Sequence, residues 1–238
     1  MAGARLAGGA QPDRGSGEHR TDLLRGAQPD RGSGEHRTDP LRGAQPDRGS
    51  GEHRTDRLTL TLASRSPQRR AILEQLGISF AVAAPDVEEI VDGDPHELVT
   101  ENALRKARAV EGERVLGVDT AVVLDDRVFG KPRGVQEARA FLAALSGRTH
   151  EVWSGIALIE EDAQRVGVAV TRVAFRRLTA ADIDWYAESG EWRGRAGGYA
   201  IQARGAALVE RIEGDYLNVV GLPVAELIRM APGLLTDP

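Results

Sequence analysis

The sequence predicts an α/β domain in which strands and helices are thoroughly interleaved, preceded by a segment that does not fold. Three observations carry this reading. From residue 58 onward, apolar runs of strand character alternate with amphipathic helical stretches. One β-branched run, Val115 to Leu124, has the pattern of a strand covered on both faces. The peptide GAQPDRGSGEHRTD occurs three times, starting at Gly9, Gly26 and Gly43 with a period of 17 residues, and offers almost nothing apolar to bury.

The repeats set the domain boundary. Their copies supply only Leu23, Leu24 and Leu41, and no aromatic residue precedes Phe80, so residues 1–57 are expected to form a disordered tail of three tandem repeats. Ten basic and nine acidic residues nearly cancel there, unlike a basic nucleic-acid arm. Copies this perfect fit either a recent tandem duplication or a start site placed too far upstream. His19, His36 and His53 recur in register, but isolated histidines in a polar chain are more often solvated than metal-bound.

Residues 58–238 then form one domain with 21 basic and 27 acidic residues, too little positive charge for a nucleic-acid polymer as partner. The absence of cysteine excludes disulfides, thiol catalysis and thiolate metal sites. No apolar stretch reaches the length of a membrane span and no hydrophobic signal core opens the chain, so a cytoplasmic protein without a membrane partner is expected.

Along the domain, Leu58–Leu62 alternates as a strand and stops at Ala63-Ser64-Arg65-Ser66-Pro67. Ser66 suits an N-cap and Pro67 the first helical position, with Ile72, Leu73 and Leu76 as the buried stripe and Gly77 as the stop. This corner turns backbone N–H groups and Arg65, Arg69 and Arg70 outward, which fits either a phosphate site or a capped helix with solvated arginines. Pro85–Glu89 reads as an acidic loop. Asp94-Pro95-His96-Glu97 opens a second helix to about Val110, on which Glu101, Asn102, Arg105 and Lys106 sit at neighbouring helical positions. Asp119 and Thr120 interrupt the central strand, and a buried carboxylate persists only if paired, protonated or bound to metal. Asp125-Asp126 looks like a hairpin turn, behind which Gly130-Lys131-Pro132 brings a cation back toward the ribbon. A helix over Val135–Leu145, strands over Thr149–Ile159 and Val166–Phe175, and a helix capped by Thr179 follow. Glycine-spaced short strands are expected from Gly197 to Gly221, before a final helix. Taken alone, an Asp-Thr in a strand and a Gly-Lys-Pro favour structure over function.

Read together, seven ordered blocks resemble the Maf family: Leu62-Ala-Ser-Arg-Ser-Pro67, Glu101-Asn-Ala103 with Lys106, Gly117-Val-Asp-Thr120, Gly130-Lys-Pro132, Leu145-Ser-Gly-Arg-Thr-His150, Gly198-Tyr-Ala-Ile-Gln202 and Gly221-Leu-Pro223. The resemblance covers residues 58–234. It implies an elongated mixed-sheet α/β fold similar to that of the inosine-triphosphate pyrophosphatases, with two lobes around a nucleotide cleft. The implied reaction is hydrolysis of the α–β phosphoanhydride of nucleoside triphosphates, including modified ones in a house-cleaning role, to monophosphate and pyrophosphate. It implies a divalent metal, magnesium with manganese as the alternative. The residues suit that chemistry, which needs a carboxylate, cations and a hard metal. By resemblance, Asp119 is the proton acceptor and Lys106 and Lys131 contact phosphate; Arg69 is a further phosphate-binding cation and Ser64 a donor to phosphate oxygen. Glu89 is the metal or water ligand beside Asp119, with Glu88 its competitor.

Base choice rests on Gln68, Thr120 and Gln202. The dTTP- and UTP-preferring branch carries Ser-Pro-Arg-Arg, a Thr after the catalytic Asp and a Gln in the Ile-Gln-Gly block. Thr120 and Gln202 match, Gln68 replaces the first arginine, and Ala203 replaces the glycine. Glutamine does not reproduce the fork of donors that an arginine presents. A homodimer is admitted by resemblance only. The contrasting reading is a nucleotide-binding regulator of cell division without useful activity.

Overall fold

The computed structural model describes residues 59–161 and 163–236, so the expectation for the repeats lies outside the described residues. At its centre runs β3 (Arg114–Leu124), flanked by β1 (Leu60–Ala63) on one edge and β5 (Thr149–Glu160) on the other. The seven-stranded mixed sheet has the order β2-β1-β3-β5-β6-β7, with β2 (Phe80–Ala83), β6 (Ala163–Phe175) and β7 (Val209–Glu213) beyond them and β4 (Arg127–Phe129) paired to β3. The β2–β1–β3 part is parallel and the remainder antiparallel.

The two faces of β3 are covered differently. Leu116, Val118 and Val122 enter the main core with Leu62, Ile72, Leu73, Phe141, Leu142 and Ile156, under helices α1 (Pro67–Gln75) and α3 (Val135–Leu145). Val115 and Ala121 face α2 (Pro95–Arg108), whose contact side is small: Ala103, Ala107 and Val99. Here α2 lies almost backbone to backbone on the sheet. A Cβ on Gly117 would sit 2.1 Å from Ala103 O, and one on Gly155 would sit 2.1 Å from Val99 O. No larger residue fits at either position without lifting the helix.

Several sequence expectations are met for the reasons given. Ser66 accepts the Arg69 N–H and Pro67 begins α1; Asp94 accepts the Glu97 N–H to start α2. Asp125 and Asp126 both take positive φ, 49° and 61°, the conformation a two-residue hairpin needs. Thr179 and Asp182 close a reciprocal capping box on α4 (Ala180–Ser189), which ends at left-handed Gly190.

Two expectations are corrected and one strand appears that the sequence did not announce. The segment Gly197–Gly221 holds one strand, β7, between two 3₁₀ stretches, Ala196–Gly198 and Ala203–Leu208, and a short helix α5 (Tyr216–Val220). Gly197 and Gly198, at φ 68° and 71°, cannot join a strand, and Asp215 caps α5 instead. The sequence also gave no sign of β2, a four-residue edge strand with a half-exposed pattern. Finally, Arg69 does not point outward; it is buried. The last helix, α6 (Val224–Met230), forms as expected.

A buried aromatic group ties the 3₁₀ region to the sheet. His150 Nε2 lies 2.8 Å from the Tyr199 hydroxyl, and both rings meet Phe175 edge-on. Burial pushes the His150 imidazole down from 6.5 to about 4. The folded protein therefore takes up a proton less readily than the unfolded chain, so this contribution is intact above pH 6.5 and lost as pH falls toward about 4. The loss amounts to about 3 kcal/mol. Urea midpoints measured across that window should fall in the wild type and stay flatter in His150→Gln, which keeps a polar partner for Tyr199; equal slopes would remove His150 as the cause.

Candidate active site

The site begins where β1 ends. Ser64 N–H bonds back to Leu62 O at 3.0 Å, a tight turn that peels the chain off the sheet. Pairing of β1 to β3 stops at Gly117, and β4 pairs with β3 only from Val122, so residues 118–121 of β3 have no strand on that edge. Even-numbered residues of β3 direct their backbone groups to this edge, because Leu124 and Arg127 flank the two-residue turn as a bonded pair. A cleft of about 480 Å³ opens at this gap, outside the carboxyl end of a parallel strand. Both faces of β3 serve it: Asp119 from the α2 side and Thr120 from the core side.

Asp119 is buried, and each of its oxygens has a partner. Its Oδ1 lies 2.5 Å from Lys106 Nζ and its Oδ2 accepts from Asn102 Nδ2 at 3.1 Å. Lys106 Nζ also reaches Glu89 at 2.7 Å, and Glu89 bonds Lys131 Nζ at 2.9 Å. The result is a row, Asp119–Lys106–Glu89–Lys131, of alternating charge. Burial alone would raise the Glu89 carboxyl, but Lys106 and then Lys131 hold it at about 2, ionised at any physiological pH. The sequence pattern returns Lys131 toward the start of the ribbon through the hairpin. In the structure Asp119 takes its lysine from α2, while Lys131 pairs with Glu89 from across the cleft. Glu88, the competitor, is exposed and does not line the cleft.

The sequence places Asn102 in the helical charge cluster and in the block Glu101-Asn-Ala103, with no role of its own. Its side chain donates to Ile90 O and accepts from Ile90 N, both at 2.8 Å, while also holding Asp119. It therefore fixes the acidic loop and the carboxylate in one step. Its spacing of four from Lys106 was the available signal, since such residues share a helix face. Glu101 and Arg105, offset by one position, form the ordinary surface pair at 2.9 Å.

The Arg69 guanidinium has four of its five N–H groups on protein acceptors: Gly221 O and Val118 O at 2.8 Å, Ser64 Oγ and Thr120 Oγ1 at 3.1 Å. It borders the cleft, yet it chiefly clamps α1, β3 and the turn after α5. Ser64 Oγ accepts from Arg69 and from Ser66 N–H at 3.2 Å, so its own proton is left to donate into the cleft. Thr120 Oγ1 lies 3.0 Å from Ser154 Oγ. Gln68 and Gln202 both line the cleft; Gln68 Oε1 accepts from Ser66 Oγ, and Gln202 is exposed ahead of Ala203, whose φ is 57°. A glycine would take that conformation without the clash a Cβ meets there.

Six cations and two carboxylates border the cleft, against a formal charge of −5 for the whole chain. Arg193 and Arg195, which sequence reasoning missed, are among them; the only signal was a pair of arginines in a glycine-bounded loop. Arg195 Nε is buried without a partner among the described residues. Val122, Val152, Ile201 and Val220 give the cleft an apolar wall.

Glu89 and Asp119 share Lys106 Nζ, which places two hard oxygen donors side by side. Among the described residues no third carboxylate or imidazole joins them. Two carboxylates suit magnesium, which completes its shell with water and phosphate oxygens and does not need a protein cage.

Because Arg69 supports the fold more than it reaches outward, Arg69→Lys should lower stability by about 2–4 kcal/mol, as urea denaturation would report. Arg70→Lys, which alters only an exposed pair with Glu74, should change it by less than about 0.5 kcal/mol. Equal effects would refute the clamp.

Relatives were found across this whole domain. The chain is 50% identical over 177 residues to a dTTP/UTP pyrophosphatase of Symbiobacterium thermophilum, covering 72% of this chain and 91% of that protein. It is 48% identical over 174 residues to a protein of the same name from Anaeromyxobacter dehalogenans strain 2CP-C, covering 70% and 89%. For the Thermotoga maritima protein of that name the identity is 44% over 173 residues, covering 70% and 85%. The sequence model described as Maf-like protein matches residues 59–233, the stretch that builds the sheet, the cleft and its charged row, and the chain therefore belongs to the Maf family.

Proposed function

We propose that this protein hydrolyses nucleoside triphosphates to the monophosphate and pyrophosphate, with dTTP and UTP as preferred substrates. The observation that carries it is the row Asp119–Lys106–Glu89–Lys131 along a cation-lined cleft. Family membership and the name shared by the relatives support the same activity and the same bases. Thr120 and Gln202 line the cleft as the pyrimidine branch requires; Gln68 is the departure at its rim.

In this reading the triphosphate lies along the charged row and the base along the apolar wall. Lys106, Lys131 and the Ser64 hydroxyl bind phosphate oxygens, which accept hydrogen bonds and need neutralising. Asp119 takes the proton of the attacking water as oxygen adds to the α-phosphorus, and the bond to the β-phosphate bridging oxygen breaks to release pyrophosphate. Asn102 holds the Asp119 carboxylate at the angle this requires. Glu89 and Asp119 would hold a divalent metal, magnesium or in its place manganese, together with the phosphates. When bound it would neutralise phosphate charge and acidify the water. A cytoplasmic location and a homodimer belong to the same proposal on the strength of the family; no helix among the described residues is long and apolar enough to cross a membrane.

A regulator that only binds nucleotide is not favoured, because a pure binder has no need of a carboxylate among phosphates, which it repels without a metal. Asp119→Asn separates the two. It leaves Lys106 paired with Glu89, so the variant should fold with a melting temperature close to that of the wild type. With magnesium and UTP or dTTP, the wild type should release equal amounts of monophosphate and pyrophosphate, and the variant should be slower by about a thousandfold. Turnover unchanged in Asp119→Asn would overturn the role of Asp119, and silence of the wild type across a panel of nucleotides would favour the regulator.

A further inference from the structure

Ser154 does not line the cleft, yet the geometry points to it as the residue that fixes what Thr120 can read there. The inference rests on the pyrophosphatase reading and deepens it, by assigning hydrogen-bond polarity to one point of the substrate site.

A hydroxyl has one proton and two acceptor sites. Thr120 Oγ1 accepts from Arg69 Nη2 at 3.1 Å and lies 3.0 Å from Ser154 Oγ. Ser154 stands directly opposite Thr120 in the β3–β5 register and is fully buried. Among the described residues its hydroxyl has no other partner. Were Thr120 the donor, the Ser154 proton would be buried without an acceptor. That arrangement is disfavoured by a factor of about 5 to 150. With Ser154 as donor, its proton has an acceptor: both acceptor sites of Thr120 are filled, by Arg69 and by Ser154, and the Thr120 proton is left for the cleft.

Thr120 is thereby a donor and nothing else toward the substrate. It pairs with an oxygen that accepts, a ring carbonyl or a phosphoryl oxygen, and meets a ring amino group donor to donor. Uracil and cytosine differ in that respect, one ring position carrying a carbonyl in the first and an amino group in the second. Removing the Ser154 hydroxyl frees one acceptor site on Thr120 and lets it accept as well as donate. Ser154 is a positioning residue, acting through Thr120 on the choice of base.

The test uses the full chain with UTP and CTP, comparing wild type, Ser154→Ala, Ser154→Thr, Thr120→Val and the Thr120→Val/Ser154→Ala pair. Pyrophosphate release by the wild type examines the pyrophosphatase reading on its own; calorimetric affinities for both nucleotides carry the Ser154 comparison whether or not turnover occurs. Ser154→Ala should reduce the UTP-to-CTP preference about tenfold, with the melting temperature recorded alongside. Ser154→Thr should restore the preference, and Ser154→Ala should add nothing once Thr120 is valine. Equal losses for UTP and CTP, with the same rescue and the same lack of additivity, would place the partner oxygen on the phosphates and overturn the role of Ser154 in base choice. Wild-type behaviour of Ser154→Ala, failure of Ser154→Thr to rescue, or full additivity with Thr120→Val would each overturn the inference.

Discussion

A carboxylate buried in the middle of a β-strand is the constraint around which this fold is arranged. Asp119 is tolerable only because Lys106 and Asn102 reach it, and they reach it only because α2 lies flush on the sheet. That contact depends on two residues with no side chain at all, Gly117 and Gly155, above which the helix backbone passes at distances that exclude a Cβ. The alanine-rich face of α2 completes the fit. Asn102, in turn, carries the constraint outward by gripping both polar groups of Ile90, so the loop bearing Glu89 is placed from the same helix.

The second organising feature is an omission. Four residues of β3 go without a partner on one edge, since β1 leaves the sheet at Ser64 and β4 joins only at Val122. An unpaired edge exposes backbone donors and acceptors. Here Arg69 caps Val118 O, and the remainder faces the cleft. The gap also lets groups from opposite faces of one strand, Asp119 and Thr120, border a single cavity. Neighbouring strand residues ordinarily point to opposite sides of a sheet and could not do so.

The sequence revealed most of the elements and the seven blocks, because caps, turn residues and apolar period are local signals. Ser66, Asp94 and Thr179 mark their helices, and the Asp125-Asp126 turn was visible as such. What was not legible depends on distant partners. Arg69 resembles Arg70 in the sequence, but one is buried against four acceptors and the other lies exposed beside Glu74. Lys131 was seen as a returning cation, while its pairing with Glu89 is set by a loop some forty residues earlier. The 3₁₀ region was mistaken for strands because glycine spacing alone does not disclose the left-handed backbone at Gly197 and Gly198. Ser154 carries no motif; only its register opposite Thr120 gives it a role.

Arg69 has a consequence of a different kind. A residue at the edge of the cleft is also the staple joining α1, the central strand and the turn at Gly221. Damage there lowers the population of folded molecules before it touches the chemistry of those that remain. In a cell, such a variant would register first as a shortage of protein, cleared by proteases. Under the proposed function, Asp119→Asn would do the reverse, leaving folded protein whose turnover is cut about a thousandfold. The cleft thus holds two kinds of fragility side by side, one expressed in quantity and the other in rate.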